Sequence, residues 1–353
     1  MDAALALARR GLGNVWPNPA VGCLLVRDGR VVGRGWTQPG GRPHAEAEAL
    51  ARAGGAARGA TAYVTLEPCS HHGKTPPCAD ALIEAGIARV FVACRDPDPR
   101  VDGRGIARLR AAGIEVVEGV GRDVAEALNA GFLLRVRERR PFVTLKLAGS
   151  LDMRIATAGG DSKWITDAPA RDRAHLLRAT HDAVMAGSGT VLADDPSLDA
   201  RLPGTQDARR ARIVADGRLR TPLDARLVRT ARTQPTWIAT RGDADAAKLR
   251  ALAEAGVEIL TLAEMTPRAM LEAFASRGLT RLMIEGGGTL AAAFLGAGLV
   301  DRLAIFRAGL AVGGDGHAAV AAFGIARLAD APRFALESLE RIGEDTLEMR
   351  ARV

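Results

Sequence analysis

Aromatic side chains are scarce in this chain of 353 residues: they make up 4 % of it, and Tyr63 is the single tyrosine. Proteins that hold single-stranded nucleic acid stack bases on aromatic faces along a basic groove, so the net charge of +7 does not by itself argue for that class. The basic residues are scattered among acidic ones. RVRERR, residues 135–140, is the one dense cluster, and it reads as a helix end and linker. An anionic small substrate accounts for the charge equally well and is the preferred reading. No run approaches the roughly 18 apolar residues of a membrane-spanning helix. The N-terminal MDAALALARRGLG reads as an amphipathic helix without the basic start, long apolar stretch and cleavage site of a signal peptide, so a cytoplasmic protein is expected.

Cysteine is sparse as well, with Cys23, Cys69, Cys78 and Cys94 only. In a cytosolic chain, metal binding or catalysis outranks disulfides. Cys23 and Cys94 sit in apolar strand-like runs and are assigned to the core. Lysine is nearly absent: only Lys74, Lys146, Lys163 and Lys248 occur, and Arg carries the rest of the positive charge. A compact ammonium is not replaced by the planar Arg fork at every site, so each surviving lysine marks a place to look. Lys74, Lys146 and Lys163 fall inside the motifs below, whereas Lys248 lies in a polar helix and reads as surface.

Length and an ordinary globular composition fit two domains. The first half alternates: a helix at 2–10, two strands joined by the Asp28-Gly29 turn signal, then helices HAEAEALARAG, CADALIEAG and GIARLRAAG between strands TAYVTLE, RVFVAC and IEVVEG. A last helix, RDVAEALNAGFLLRVRE, ends near Pro141. A second series begins at PFVTLKLA and continues through DAVMAGS, ARIVADG, PTWIAT, VEILTL, RLMIEG, VDRLAIF and a final DTLEMRARV. Helices between strands predict mainly parallel sheets. Both halves are therefore α/β, with domains expected at 1–140 and 141–353.

The chemistry concentrates in the first half. His44-Ala45-Glu46 opens a helix, Pro68-Cys69 follows a strand, and Cys78 starts the next helix. One imidazole and two thiolates are a catalytic zinc set, because the fourth tetrahedral position stays open to water. Helix starts favour thiolate ligation through the dipole. Glu46 is the expected proton carrier. H-A-E followed by E-P-C is the pattern of zinc nucleobase deaminases, although eight residues here separate the cysteines in place of two.

That stretched spacing, with PNPAVG (17–22), TLEPCSHHGKTPPC (65–78) and RDPDPRVDGRG (95–105), resembles the bifunctional riboflavin-biosynthesis deaminase/reductase family. The resemblance continues through LKLAGSLDMRIAT (145–157), GDSKWIT (160–166), GSGTVLADDPSLDAR (187–201) and IEGGGTLAAAFL (284–295). It implies a cytidine-deaminase-like α/β/α domain followed by a dihydrofolate-reductase-like α/β domain using NADPH. By the same resemblance His44, Cys69 and Cys78 hold Zn2+, and Asn18, His71 and Lys74 hold the pyrimidine ribosyl phosphate. In the second domain Ser162, Arg178, Leu198, Arg201 and Glu285 are the implied substrate contacts. Ala148, Trp164, Thr190 and Asp194 are implied for NADPH, together with the turn Gly287, Gly288, Thr289, Leu290, Ala291, Ala292 and Ala293. That glycine turn also has its own physical reading, since a strand-to-helix turn offers backbone N–H groups to phosphate.

Met153 departs from the Gly that the family places after SLD, so a different backbone is expected there. RAGLAVGGDGHAAV is looser than the family pattern. His175, His181 and His317 have no ligand spacing and receive no chemistry, and neither does Glu67. The expected reaction is hydrolytic deamination followed by reduction of the ribosyl group, with no nucleic-acid or membrane partner and a homo-oligomer, dimer or tetramer. A nucleic-acid or nucleobase deaminase with an accessory domain is the alternative. A non-catalytic zinc module closed by His71 or His72 is a second rival.

Overall fold

The Asp28-Gly29 turn joins β1 (Gly22–Arg27) to β2 (Arg30–Trp36) in an antiparallel hairpin. Both turn residues have positive φ, +52° and +72°, which a two-residue turn of matching twist requires. The computed structural model describes residues 1–72, 76–205 and 210–353. The chain divides into two units, Met1–Arg139 and Arg140–Val353.

In the first unit α1 (Asp2–Ala8) precedes the hairpin. Then come α2 (Ala45–Ala53), β3 (Thr61–Val64), α3 (Cys78–Glu84), β4 (Arg89–Val92), α4 (Arg104–Ala111) and β5 (Glu115–Glu118). The sheet order is β2-β1-β3-β4-β5. Only β3, β4 and β5 pair in parallel, because the hairpin makes β1 antiparallel to both of its neighbours. Gly33 and Gly35 decide where α2 lies: a side chain at either would collide with the carbonyl oxygens of Ala49 and Ala45. The helix therefore rests on the bare strand backbone, and this fixes the position of its first turn. Leu25, Val64, Leu82, Val90 and Leu109 form the core between the layers.

The single helix expected after β5 is two, α5 (Arg122–Leu128) and α6 (Ala130–Glu138). Asn129 breaks it. Its buried side-chain amide donates to the Ala20 carbonyl at 3.1 Å and its side-chain oxygen accepts from the Ala20 N–H at 2.9 Å. The break is confined to this residue, at φ −96° and ψ 14°, since its N–H still bonds the Ala125 carbonyl and its carbonyl the Leu133 N–H, each at 3.0 Å.

The second unit begins with β6 (Phe142–Gly149) and β7 (Arg154–Ala156), followed by α7 (Ala168–Ala179), β8 (Ala183–Gly187), α8 (Ser188–Asp194) and β9 (Ala211–Ala215). It continues with α9 (Arg226–Arg229), β10 (Thr236–Arg241), α10 (Ala246–Glu254), β11 (Glu258–Leu262), α11 (Pro267–Ser276), β12 (Arg281–Glu285) and α12 (Gly288–Gly296). Last come β13 (Arg302–Arg307), β14 (His317–Ala318), β15 (Phe334–Ile342) and β16 (Asp345–Arg352). Nine strands make one sheet in the order β11-β10-β9-β8-β12-β6-β13-β16-β15. Every pair from β11 to β13 is parallel, and the last two strands return antiparallel.

Three strands were not expected from sequence. β7 and β14 are short and pair only with each other. β15 reads FALESLERI and lies at the sheet edge with Leu336, Glu337, Leu339 and Arg341 exposed, so its pattern has no buried face to report.

No helix among the described residues is long and apolar enough to cross a membrane.

Candidate functional site

His44 caps α2 in an extended conformation, φ −70° and ψ 160°. Glu46 therefore falls in the first helical turn, where it is 3 % exposed. Cys69 follows β3, and Cys78 is the first residue of α3. Nδ1 of His44 lies 3.3 Å from Sγ of Cys78 and 3.7 Å from Sγ of Cys69. All three donor atoms lie within 4.8 Å of one another. Zinc bound at about 2.3 Å to sulfur and about 2.0 Å to nitrogen sets tetrahedral ligand atoms roughly 3.5–3.8 Å apart, so this donor set fits the ion. No fourth His, Cys, Asp or Glu joins the group among the described residues. The closed structural site with His71 or His72 as a ligand is not formed.

Electrostatics ready one of the three donors, Cys69, as a thiolate. The Cys78 thiol, the His44 ring and the Cys78 N–H (3.3 Å) converge on the Cys69 sulfur and hold its thiol down to about 4. His44 is pushed up, chiefly by its bond to Cys69. Cys78 is pushed up by sharing its proton with Cys69 and by burial. Burial, reinforced by the Cys69 charge, pushes Glu46 up to about 7.

A second carboxylate braces the loop. Glu67, 3 % exposed, accepts from the N–H groups of Gly103 (3.0 Å), Gly105 (2.9 Å) and Ile106 (3.2 Å) at the start of α4. A side chain at Gly105 would strike the Pro68 carbonyl. The E-P-C turn is thus clamped beside its metal ligand, and Glu67 is structural.

Among the pyrimidine contacts implied by sequence, Asn18 is half-buried, and its amide fills the space that a side chain at Gly41 would need. His71 is half-buried, and its Nδ1 has no hydrogen-bond partner among the described residues. Lys74 lies outside the described residues.

In the second unit, strand order assembles a charge cluster. Parallel pairing of β12 with β6 sets Glu285 opposite Lys146. Arg178 of α7 closes on Glu285 with both arms, Nε to Oε1 at 2.6 Å and Nη2 to Oε2 at 2.7 Å. Lys146 Nζ stands 4.0 Å from Oε2. Burial opposes ionisation of Glu285, yet Arg178 and Lys146 outweigh it and hold the carboxyl down to about 2. Arg178 also donates to the Asp199 carbonyl at 2.8 Å, which draws in the segment carrying Leu198 and Arg201. Leu198 is 3 % exposed with φ +50°, and its side chain packs into the core with Val191 and Val214.

Two of the segments that the sequence implied for NADPH also meet. Gly286 and Gly287 have φ +79° and +82°, and a side chain on Gly286 would come within 3.1 Å of Thr190 Oγ1. Gly288, Thr289 and Leu290 open α12, whereas the Ala291 N–H already bonds the Gly287 carbonyl at 3.1 Å. Ala291 and Ala292 are 2 % and 5 % exposed, packed inward, and Ala293 faces solvent. Anion-binding capacity therefore ends at Leu290. Asp194 is exposed at the end of α8, one turn beyond Thr190. Ala148 and Ser162 are half-buried, and Trp164 is exposed beneath the Arg171 guanidinium at 4.6 Å.

Met153 keeps a left-handed backbone at φ +56°, so the turn retains a conformation that glycine adopts without strain. The looser late segment is tied to it: Asp152 accepts from the N–H groups of Val312 (3.1 Å) and Gly313 (2.8 Å). His181 bridges the Leu177 carbonyl (2.7 Å) and Thr144 Oγ1 (2.8 Å). His317 is exposed. Sequence reasoning missed the Asp199 carbonyl and the partnership of Lys146 with Glu285. The scarcity of lysine was the available signal for the second.

Residues 1–94 match the cytidine and deoxycytidylate deaminase zinc-binding region, and residues 141–347 match the RibD C-terminal domain. The riboflavin biosynthesis protein RibD of Escherichia coli is 44 % identical over 363 residues, covering 98 % of this chain and 96 % of that protein. The RibD of Actinobacillus pleuropneumoniae is 43 % identical over 352 residues, 98 % of this chain and 93 % of that one. Among solved structures, Acinetobacter baumannii RibD superposes with a TM-score of 0.90 at 38 % identity, covering 100 % of this chain and 97 % of that one. The diaminohydroxyphosphoribosylaminopyrimidine deaminase/5-amino-6-(5-phosphoribosylamino)uracil reductase of Thermotoga maritima gives 0.87 at 35 % identity, with coverage of 100 % and 97 %.

Proposed function

The chain belongs to the RibD family of bifunctional riboflavin biosynthesis proteins, and on that premise we propose that residues 1–140 carry a zinc-dependent pyrimidine deaminase and residues 141–353 an NADPH-dependent reductase. The substrate is 2,5-diamino-6-ribosylamino-4(3H)-pyrimidinone 5′-phosphate, deaminated by hydrolysis. Reduction of its ribosyl group then gives 5-amino-6-ribitylaminouracil 5′-phosphate. The observation that carries this reading is the convergence of His44, Cys69 and Cys78, with no fourth donor in the group among the described residues, and with Glu46 buried two positions after His44. Zinc, when bound, makes a water molecule acidic enough to ionise near neutral pH. Glu46 takes one proton of the attacking water and gives it to the pyrimidine ring nitrogen, then carries the proton of the newly added hydroxyl to the amino group as that leaves as ammonia. Asn18, His71 and Lys74 hold the pyrimidine and its ribose phosphate.

In the reductase, NADPH, when bound, would supply the hydride that reduces C1 of the sugar. The N–H groups of Gly288 to Leu290 and the neighbouring Thr190 suit a cofactor phosphate, with Ala148, Trp164 and Asp194 as further contacts. Glu285, locked as an anion by Arg178, accepts from the sugar hydroxyls, and Lys146 beside it donates. Ser162, Leu198 and Arg201 complete the substrate contacts. A cytoplasmic location suits these small-molecule substrates. The expected assembly is a homo-oligomer, for which the open edge of β15 offers a surface, and light scattering on the purified protein tests it.

A coupled assay with zinc, substrate and NADPH decides the division of labour. Glu46→Gln is expected to stop ammonia release while NADPH is still oxidised when the deaminated intermediate is provided. Loss of both activities in a folded variant would contradict independent sites.

A further inference from the structure

His175 lies three residues before Arg178 on α7, so both side chains point to the same side of the helix. Its ring meets the segment that follows α8. Nδ1 is 3.2 Å from the Asp199 carbonyl oxygen and Nε2 is 3.4 Å from Nη2 of Arg201. Two of the three polar contacts of this ring agree on where the proton sits. A carbonyl only accepts, so Nδ1 carries the hydrogen. A guanidinium only donates, so Nε2 keeps its lone pair for Arg201. The Arg201 backbone N–H also points at Nδ1 from 3.4 Å, but accepting from it would leave the Nδ1 and Asp199 carbonyl lone pairs facing each other at 3.2 Å and set an Nε2 hydrogen against the Arg201 guanidinium. Burial, followed by the charges of Arg178 and Arg201, lowers the basicity of this imidazole, which agrees with the neutral ring that the geometry demands.

The two arginines served by this segment differ in what remains available. Arg178 commits Nε and Nη2 to Glu285 and Nη1 to the Asp199 carbonyl. Arg201 is 61 % exposed, held by His175 on one side and by Asp199 Oδ1 at 3.4 Å on the other. Asp199 is itself fixed by the Ser197 hydroxyl at 2.6 Å, and the Ser197 carbonyl accepts from the fully buried Arg212 at 3.4 Å. A planar guanidinium steadied at two of its edges still presents donors outward, in the fork that matches a phosphate.

We infer that His175 is a positioning residue of the reductase: through its unprotonated Nε2 it presents Arg201 to the 5′-phosphate of the substrate. It rests on the reductase reading above and deepens it, because it names which group orients the phosphate contact. His175 touches neither cofactor nor reacting carbon, so its removal weakens substrate capture and leaves hydride transfer intact.

The test uses the full-length protein, the deaminated ribosylamino phosphate and saturating NADPH. His175→Ala is expected to raise KM for that substrate about tenfold, the loss of one charge-assisted hydrogen bond's orienting effect, with kcat within about twofold of the parent. His175→Gln restores KM, because its amide N–H reaches the carbonyl and its amide oxygen accepts from Arg201. In an Arg201→Ala background, His175→Ala adds nothing further. Three results overturn the inference: a fall in kcat at unchanged KM, a Gln variant no better than Ala, or effects of His175 and Arg201 that add. Failure of the parent protein to oxidise NADPH at all would instead sink the reductase reading and is seen in a separate control.

Discussion

Arg178→Met isolates the energetic role of the buried ion cluster. The substitution keeps the aliphatic stem and removes the two-armed bond to Glu285, which is 6 % exposed and left with Lys146 at 4.0 Å as its remaining cation. Two independent routes give the size of the effect. Holding Glu285 at about 2 against an ordinary 4.5 corresponds to roughly 3 kcal/mol at neutral pH, taking about 1.4 kcal/mol per pH unit. Breaking a buried pair by deleting one partner costs about 3–5 kcal/mol in other proteins. Because the folded value is depressed, this stabilisation is complete above pH 4.5 and drains away as pH falls towards 2. Urea unfolding at pH 7 followed through the second unit is expected to lose about 3 kcal/mol in the variant. The gap between variant and parent narrows below pH 4.5. Arg178→Met combined with Glu285→Gln should recover much of the loss, since the dominant penalty is an unpaired buried charge and not a missing attraction. A single variant costing less than about 1 kcal/mol, the scale of an exposed pair, would refute the reasoning. So would a double variant showing the sum of the two single losses.

Removing zinc with a chelator, or replacing Cys69 with Ser, is expected to abolish ammonia release and leave NADPH oxidation of the deaminated intermediate unchanged; metal analysis should find one ion per chain in the parent and none in the treated protein. His181 is buried between Leu177 and Thr144 and held down to about 3 by burial. The unfolded chain therefore binds a proton that the folded one refuses, and stability should fall by about 1.4 kcal/mol per unit as pH drops from 6.5 towards 3. His181→Gln should flatten that slope in denaturant titrations, and an unchanged slope would assign the dependence elsewhere. Met153→Gly relieves a left-handed backbone carried by a branchless but bulky side chain, at φ +56°. It should raise the melting temperature by a few degrees, about 1 kcal/mol, whereas a drop would mean that the Met side chain contributes more than the turn takes.

Most strands and helices were legible because burial imposes a period. TAYV, RVFV and RLMIE are short apolar runs between turn signals, and each became a strand, the first two buried at alternate residues and the third throughout. The failures have physical causes of the same kind. Asn129 carries no helix-breaking signal until Ala20, 109 residues away, arrives to pair with it. β15 is an edge strand whose exposed Leu336 and Leu339 alternate with nothing buried. The parallel expectation held for β11 to β13 and failed where a hairpin, and not a helix, returns the chain.

The two chemical sites were legible to different degrees for a reason that lies in topology. The three candidate zinc donors, two of them at helix starts, lie within 35 residues of sequence, so residue type and spacing already carry the chemistry. The charge cluster of the second unit is not local at all. Lys146 and Glu285 become register partners only because the chain inserts β12 between β8 and β6, and Arg178 reaches them from a helix packed over that sheet. No spacing rule connects such positions. What sequence does retain is the residue type that the site cannot exchange: a lysine in a chain that writes nearly all its positive charge as arginine. If that reasoning is sound, Lys146→Arg is not a conservative change. The larger, planar cation, in a space that already holds the Arg178 fork against Glu285 at 2.6 and 2.7 Å, would compete for the same oxygens and impair NADPH oxidation almost as fully as Lys146→Ala.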